Sequence, residues 1–362
     1  MCSLPRIAAP AHVSAVVVNW NGRSYLDGCL RSIFEQDPPP AEVLLADNHS
    51  SDGSREWVAE RFPQVRIVDT GRNGGPGLAR NSGVRQARHD QVLLVDNDVI
   101  LEPGCLASLS RTLAAHADAG IVQARSLCHD RPELVHYDAA DLHYLGLLVH
   151  RNWLRPVAQA SRPDGPVGAA ISLCFLTERG KFEAAGGFNE QLFFYFEDTD
   201  FAWRMRLLGH QVYLDADAHC LHRTGTAGLS ARHAASMPAR RTFFHSRNRW
   251  LVLLTCLRLR SLALLMPAQL LYTVVHFAFA AAQGHAFAWL RGKLDLLRML
   301  PQAWRWRTAI QRRRICADRD LLVAAPLTLT PGVADRGVKA GLRRGLDVVY
   351  AFHWRLVRRW CG

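Results

Sequence analysis

No two of the nine cysteines form a C-x-x-C pair, and their number is odd. That argues against a disulfide scaffold or a thiolate zinc site and fits a reducing cytoplasm, with each cysteine a small buried apolar residue. The stretch from Met1 to His12 lacks the apolar run of a secretory leader, so none is expected. The sequence also lacks internal repeats and low-complexity segments. Between Ser261 and Leu290 it lacks Asp, Glu, Lys and Arg altogether, a run of 30 residues.

Acidic residues are scarce at the far end. From Arg291 to Gly362 there are 16 Lys/Arg against 5 Asp/Glu, so this fifth of the chain holds +11 of the total +12. Basic tails bind nucleic acid or anionic membrane. Trp304, Trp306, Trp354 and Trp360 among the arginines suit either stacking on bases or a membrane interface. The apolar run before them favours lipid, and no nucleic-acid partner is expected. One crossing of the bilayer would leave an arginine cluster outside, against the positive-inside tendency, and 30 residues are too few for two spans of about 20 each. The pattern predicts a helical pair lying in, or re-entering, the cytoplasmic leaflet of the inner (plasma) membrane through residues 261–290.

What is present, over residues 13–125, is alternation of short apolar strands with amphipathic helices. Strands are expected at Val13–Asn19, Glu42–Ala46, Val65–Val68 and in the run ending at Val95. Helices are expected at Arg23–Glu35, Ser54–Arg61 and Gly77–Arg88. This is the pattern of an α/β domain with a mostly parallel sheet covered on both faces. Ligands in such sheets bind beyond the C-terminal strand ends. Asn19-Trp20-Asn21, Asp47-Asn48, Asn73-Gly74-Gly75 and Asp96-Asn97-Asp98 all fall at or just after such ends, on one rim. Residues 126–165, rich in His, Asp and Arg, read as an irregular excursion over the pocket.

Four segments carry chemistry. Asp96-Asn97-Asp98 ends a buried strand with two carboxylates, a pattern that holds Mg²⁺ or Mn²⁺ against a diphosphate. Asp47 follows Leu44-Leu45-Ala46 and is a candidate acceptor for the imide N–H of a pyrimidine base. In Asn73-Gly74-Gly75-Pro76-Gly77 the glycines allow close backbone approach at a helix start, where amide donors favour anions, with Arg80 one turn in. Finally an aromatic run, Phe193-Phe194-Tyr195-Phe196, leads into Glu197-Asp198-Thr199-Asp200 and a helix over Phe201–Leu208. Apolar surroundings raise a carboxyl pKa towards the range of a general base. After the strand Gln211–Leu214, His222 is a candidate to complete a metal site begun by Asp98.

Together these blocks resemble the family 2 glycosyltransferases of GT-A fold, in particular the bacterial rhamnosyltransferase-like enzymes of surface polysaccharide synthesis. The matching runs are VSAVVVNWNG, LLADNHSSDGS, NGGPGLARNSG, VLLVDND, GGFNEQLFFYFEDTDFAWRMRLLG and HCLHRTG, in the family's order over about residues 13–250. The tail segment GKLDLLRMLPQAWRWRTAIQRRR is similar as well. The resemblance implies a tail over 1–12, a GT-A domain over 13–250 (nucleotide half 13–125, acceptor half 126–250) and a basic helical region over 251–362. It further implies a metal-dependent, inverting transfer from a nucleotide-sugar donor to a glycan or polyprenyl-linked acceptor. Asn19, Asp47, Arg80, Asp96 and Asn97 would contact the donor, and Asp98, Asp96 and His222 the metal. Asp198 would be the general base, paired with Glu197. Rhamnose is the sugar the subgroup implies. Asn189 and Trp20 stand where the family often has Asp and Tyr, and both Asp96 and Asp98 are kept where the subgroup often keeps one acid. A sugar nucleotidyltransferase, which also uses a parallel sheet and paired carboxylates, would carry a basic glycine-rich loop directly after the first strand. Asn19-Trp20-Asn21-Gly22-Arg23 is not one.

Overall fold

Every residue of β1 (Val13–Asn19) is buried, and its side chains divide by parity between two cores. Ala15 and Val17 face one side, Val16 and Val18 the other. A strand covered on both faces needs a continuous apolar run, which is what its sequence supplies. The computed structural model describes residues 12–223, 238–329 and 337–362. In the first of these segments α1 (Arg23–Phe34), β2 (Glu42–Asp47), α2 (Ser54–Arg61), β3 (Arg66–Asp69), α3 (Pro76–Gln86) and β4 (Gln91–Asp96) follow β1. β3, β2, β1 and β4 lie side by side and parallel. Their register sets Asn19 beside Asp47 and Val18 beside Asp96, so the C-terminal ends form one rim, as the motif spacing predicts.

Next come β5 (Val99–Leu101), α4 (Cys105–Ala115), β6 (Ala119–Cys128), β7 (Arg131–Tyr137), β8 (Ala140–His143) and β9 (Leu147–His150). β10 (Cys174–Glu178), α5 (Arg179–Ala184), α6 (Glu197–Leu207) and β11 (Gln211–His222) complete this half. The sheet is mixed beyond β4: β10 lies antiparallel between β4 and β6, β11 runs parallel to β6, and β5 closes the edge antiparallel to β11. Strand direction leaves no trace in an apolar run such as Cys174-Phe175-Leu176, so periodicity alone did not separate the two cases.

Two elements extend beyond their expected ends. β11 continues eight residues past Leu214, through an irregularity between Asp215 and His219, and carries His222 as its last residue. α6 starts at Glu197 rather than Phe201, which puts Glu197 and Asp198 in its first turn. Residues 126–165 are more regular than expected. They hold β7 and the β8–β9 hairpin, and the hairpin forms a second small sheet with a strand from the far end of the chain.

That strand, β12 (Leu322–Val323), belongs to the C-terminal region of α7 (Ala239–Cys256), α8 (Leu259–Ala282), α9 (Ala286–Gln311), α10 (Asp318–Leu321) and α11 (Gly337–Val357). Leu251, Val252, Leu253, Trp354 and Cys361 join the same core cluster as Val16, Leu44 and Phe175, so these helices are built onto the sheet. Position 250, the expected boundary, falls inside α7. The charge-free run forms α8 and the start of α9, parted by Gly284 at φ +75°, and α9 continues through the basic tail. Among the described residues α8 is the one helix long and apolar enough to cross a membrane.

Candidate active site

Asn19 is the hub of the rim. Its Nδ2 donates to Asp47 Oδ1 at 2.8 Å and to Ser50 Oγ at 3.1 Å, and its Oδ1 accepts from Asn97 Nδ2 at 2.7 Å. The other Asp47 oxygen accepts from the Ser50 amide at 2.9 Å, with Arg55 Nε 3.7 Å away. Asp47 is thus fully buried with both oxygens engaged, and its carboxylate shapes the loop Asn48–Ser54. The polar groups on the lip are Asn48 and Asn73, joined at 2.9 Å, with Asn48 Oδ1 also accepting from the Gly74 amide. Two glycines are required by close approach. A Cβ on Gly22 would collide with the Asn97 amide, and one on Gly75, at φ +85°, with the Phe193 carbonyl oxygen.

Arg80 is buried among carboxylates rather than set at the lip. Its Nη2 donates to Asp96 Oδ1 at 2.6 Å and to the Ser172 carbonyl at 2.9 Å, and its guanidinium lies 5.1 Å from the Phe188 ring centre. Burial works against its charge, but Asp96, Asp198 and Glu197 outweigh it and hold Arg80 above its ordinary range. Burial pushes the Asp96 carboxyl up to about 6 against the pull of Arg80, with Asp98 and Asp198 adding to the rise. Burial, with Asp198 next to it, also pushes Glu197 up to about 8. Glu197 is buried, and Asp198 is the more exposed of the two. Arg80 Nε and Nη1, Glu197 Oε2 and Asp198 Oδ1 are buried and find no partner among the described residues. Asp200, by contrast, is bound by Arg204 at 2.7 and 2.9 Å within α6, a structural pair.

Asp98 Oδ2 lies 3.1 Å from His222 Nε2, and His222 Nδ1 lies 3.0 Å from His136 Nδ1. The β5–β11 register opposes Val99 to His222, which brings the residue before Val99 to that imidazole. Asp98 and His222 meet each other here, and a carboxylate oxygen with an imidazole nitrogen are donor types that suit Mg²⁺ or Mn²⁺. No three or more His, Cys, Asp or Glu among the described residues are grouped to hold a metal alone, so a cation here would draw its other ligands from phosphate oxygens or water.

Of the site residues named from the sequence, Asn19, Asp47 and Asp96 end adjacent strands on one rim, Asp98 meets His222, Arg80 lies beneath and pairs with Asp96, and Glu197 and Asp198 open α6 on the other half. Ser50, His136 and Ser172 were missed. Each acts through a contact between segments distant in sequence, for which single-chain spacing carries no signal.

Residues 14–183 match the family model described as glycosyl transferase family 2. The chain is 29% identical over 251 residues to the N-acetylglucosaminyl-diphospho-decaprenol L-rhamnosyltransferase of Mycobacterium tuberculosis, covering 61% of this chain and 81% of that protein. It is 30% identical over 139 residues, 38% of each chain, to the succinoglycan biosynthesis protein ExoO of Rhizobium meliloti. Among solved structures, GalNAc-T7 with UDP, GalNAc and Mn²⁺ superposes with a TM-score of 0.56 at 14% identity, over 81% of this chain and 57% of that one. TarS 1-349 of S. aureus in complex with UDP-GlcNAc gives 0.52 at 16% identity, over 96% and 92%. These likenesses establish the GT-A fold.

Proposed function

We propose that the chain is a family 2 glycosyltransferase, rhamnosyltransferase-like in sequence, and an inverting, metal-dependent enzyme of surface polysaccharide synthesis. It takes a sugar, rhamnose first among the candidates, from a nucleotide-sugar donor to a glycan or polyprenyl-linked acceptor. The observation that carries this reading is the convergence on Arg80 of Asp96, from the donor rim, with Glu197 and Asp198, from the opposite half. The name of the mycobacterial relative, a rhamnosyl transfer to a diphospho-decaprenol glycan, supports the choice of sugar and acceptor.

In the proposed reaction the acceptor hydroxyl oxygen attacks the anomeric carbon as the bond to the diphosphate oxygen breaks. The hydroxyl proton passes to Asp198, and the single displacement inverts the configuration. Glu197, protonated at neutral pH, offers a hydrogen bond from within the pocket instead of a second negative charge. Asp98, His222 and Asp96 would hold the divalent cation, which supplies charge neutralisation at the departing diphosphate. His222 would offer Nε2 to such a cation if its Nδ1 carried the proton and donated to His136, a pairing that would orient the imidazole. Replacing Asp198 with Asn tests the assignment: transfer should fall by about 10²–10⁴-fold while nucleotide binding persists. Unchanged turnover would remove Asp198 from the role.

We place the enzyme on the cytoplasmic face of the plasma membrane. Of eighteen exposed large apolar side chains among the described residues, seventeen lie at or beyond Leu259. They form outward stripes, with Leu270, Val274 and Phe277 on α8 and Phe287, Leu290, Leu294, Leu297 and Trp304 on α9. Exposed Arg291, Arg298 and Arg305 flank the α9 stripe at seven-residue intervals. An apolar stripe edged with arginines fits a helix lying in an anionic lipid interface.

A further inference from the structure

We propose that Asn248, on α7 and outside the residues matched by the family model, is a positioning residue that holds the loop aiming Glu197 and Asp198. The loop Phe193–Phe196 connects the Asn189–Leu192 turn to α6, and three of its four residues have positive φ: Phe193 at 60°, Tyr195 at 72° and Phe196 at 78°. Bulky L-residues avoid this region, and several in succession persist only where surrounding contacts hold them. Elsewhere among the described residues only Asn21, His49 and Leu154 share it without being glycine.

The contacts come from one carboxamide. Asn248 is fully buried, and the two hydrogens of its Nδ2 are shared among the carbonyls of Leu192 at 2.9 Å, Phe194 at 3.0 Å and Tyr195 at 2.7 Å. Its Oδ1 accepts from Arg247 Nε at 2.8 Å, which fixes the amide with its donors towards the loop. Arg247 adds bonds to the Gln191 and Leu192 carbonyls at 3.2 and 3.0 Å and is itself anchored to Asp295 on α9 at 2.8 Å. The carbonyl of Phe193 faces Gly75, so the loop is wedged between the donor rim and α7. Phe196 then caps α6, and its carbonyl accepts from the Asp200 amide at 2.9 Å. Turning any of the three clamped carbonyls would rotate the first turn of α6, where both candidate acids sit. The carboxamide thus acts on the reaction through backbone geometry, without touching substrate.

This assignment rests on the proposed role of Asp198, and two readouts on the full chain separate their failures. Asn248→Asp keeps the shape and removes the donors. Amide hydrogen exchange over residues 193–198 should then rise by about tenfold or more, with β1 and β2 unchanged, because the loop loses its clamp. The kcat for transfer should fall by roughly a hundredfold while nucleotide Kd stays within about twofold, as expected for a displaced base and an intact donor rim. Exchange needs no turnover, so a wild type that transfers no sugar would defeat the proposed function and leave the clamp to be judged by exchange. Unaltered exchange in the loop, or a kcat within about twofold of wild type, would overturn the proposal. If Asn248→Asp does not fold, Asn248→Ala, which introduces no buried charge, is judged by the same two readouts.

Discussion

Asp98 and His222 stand 124 residues apart in the chain and 3.1 Å apart in space. The antiparallel β5–β11 ladder brings them together, and His136 backs the imidazole at 3.0 Å. If the pair holds a cation against a diphosphate, His222→Ala should remove most of the Mn²⁺-dependent part of nucleotide binding. His136→Phe, which leaves both ligands in place but deprives His222 Nδ1 of its partner, should lower the apparent Mn²⁺ affinity by about 10–100-fold. Titrating Mn²⁺ at fixed nucleotide in a calorimeter reads both. Equal affinities in the wild type and His136→Phe would show that the second imidazole does not orient the first.

Glu197 makes stability depend on pH with a definite sign. The folded chain keeps its proton up to about pH 8, whereas an ordinary glutamate releases it near 4.5. Between these values the native state binds more protons than the unfolded state, so wild-type stability falls as pH rises. Glu197→Gln has nothing to ionise there. Its Tm relative to wild type should therefore increase steadily from pH 5 to pH 8. A constant difference across that window would mean that Glu197 ionises normally in the fold.

The α9 stripe leads to a lipid-binding prediction that requires no knowledge of the substrate. Each arginine near an anionic surface contributes about 1 kcal/mol, so reversing Arg291, Arg298 and Arg305 to Glu should reduce binding to phosphatidylglycerol-containing vesicles by roughly a hundredfold or more. Leu294→Asp with Leu297→Asp should weaken binding to neutral and anionic vesicles alike. Co-sedimentation unaffected by either set would contradict an interfacial role for α9.

The parts of this fold that were legible in the sequence are those set by local pattern. β1 to β4 and their helices follow from apolar runs broken at Asn19, Asp47 and Asp96, and the motifs at those breaks do share one rim. What was hidden depends on partners far along the chain. The pairing of β12 with β8 joins Leu322 to Leu142, and neither two-residue nor four-residue strand has enough length to announce itself. Arg80 looked like a group for the donor because it follows a glycine-rich loop by one turn. Its actual neighbours, Asp96, Glu197 and the Ser172 carbonyl, come from three other segments. Asp47 was legible as a strand-end acid, but not as one whose two oxygens are taken by Asn19 and Ser50. The clamp at Asn248 was invisible for the same reason, since it exists only once α7 packs beside the aromatic loop.

The measurement closest to the central claim is calorimetric titration of UDP, dTDP and GDP, each with and without Mn²⁺, into the wild type and Asp98→Ala. Metal-dependent binding of one nucleotide by the wild type, lost in Asp98→Ala, is the expected result and would identify the donor class and the metal ligand together. Failure of the wild type to bind any of the three, or binding that Asp98→Ala retains at full strength with Mn²⁺, would contradict a nucleotide-sugar site built on Asp98 and His222.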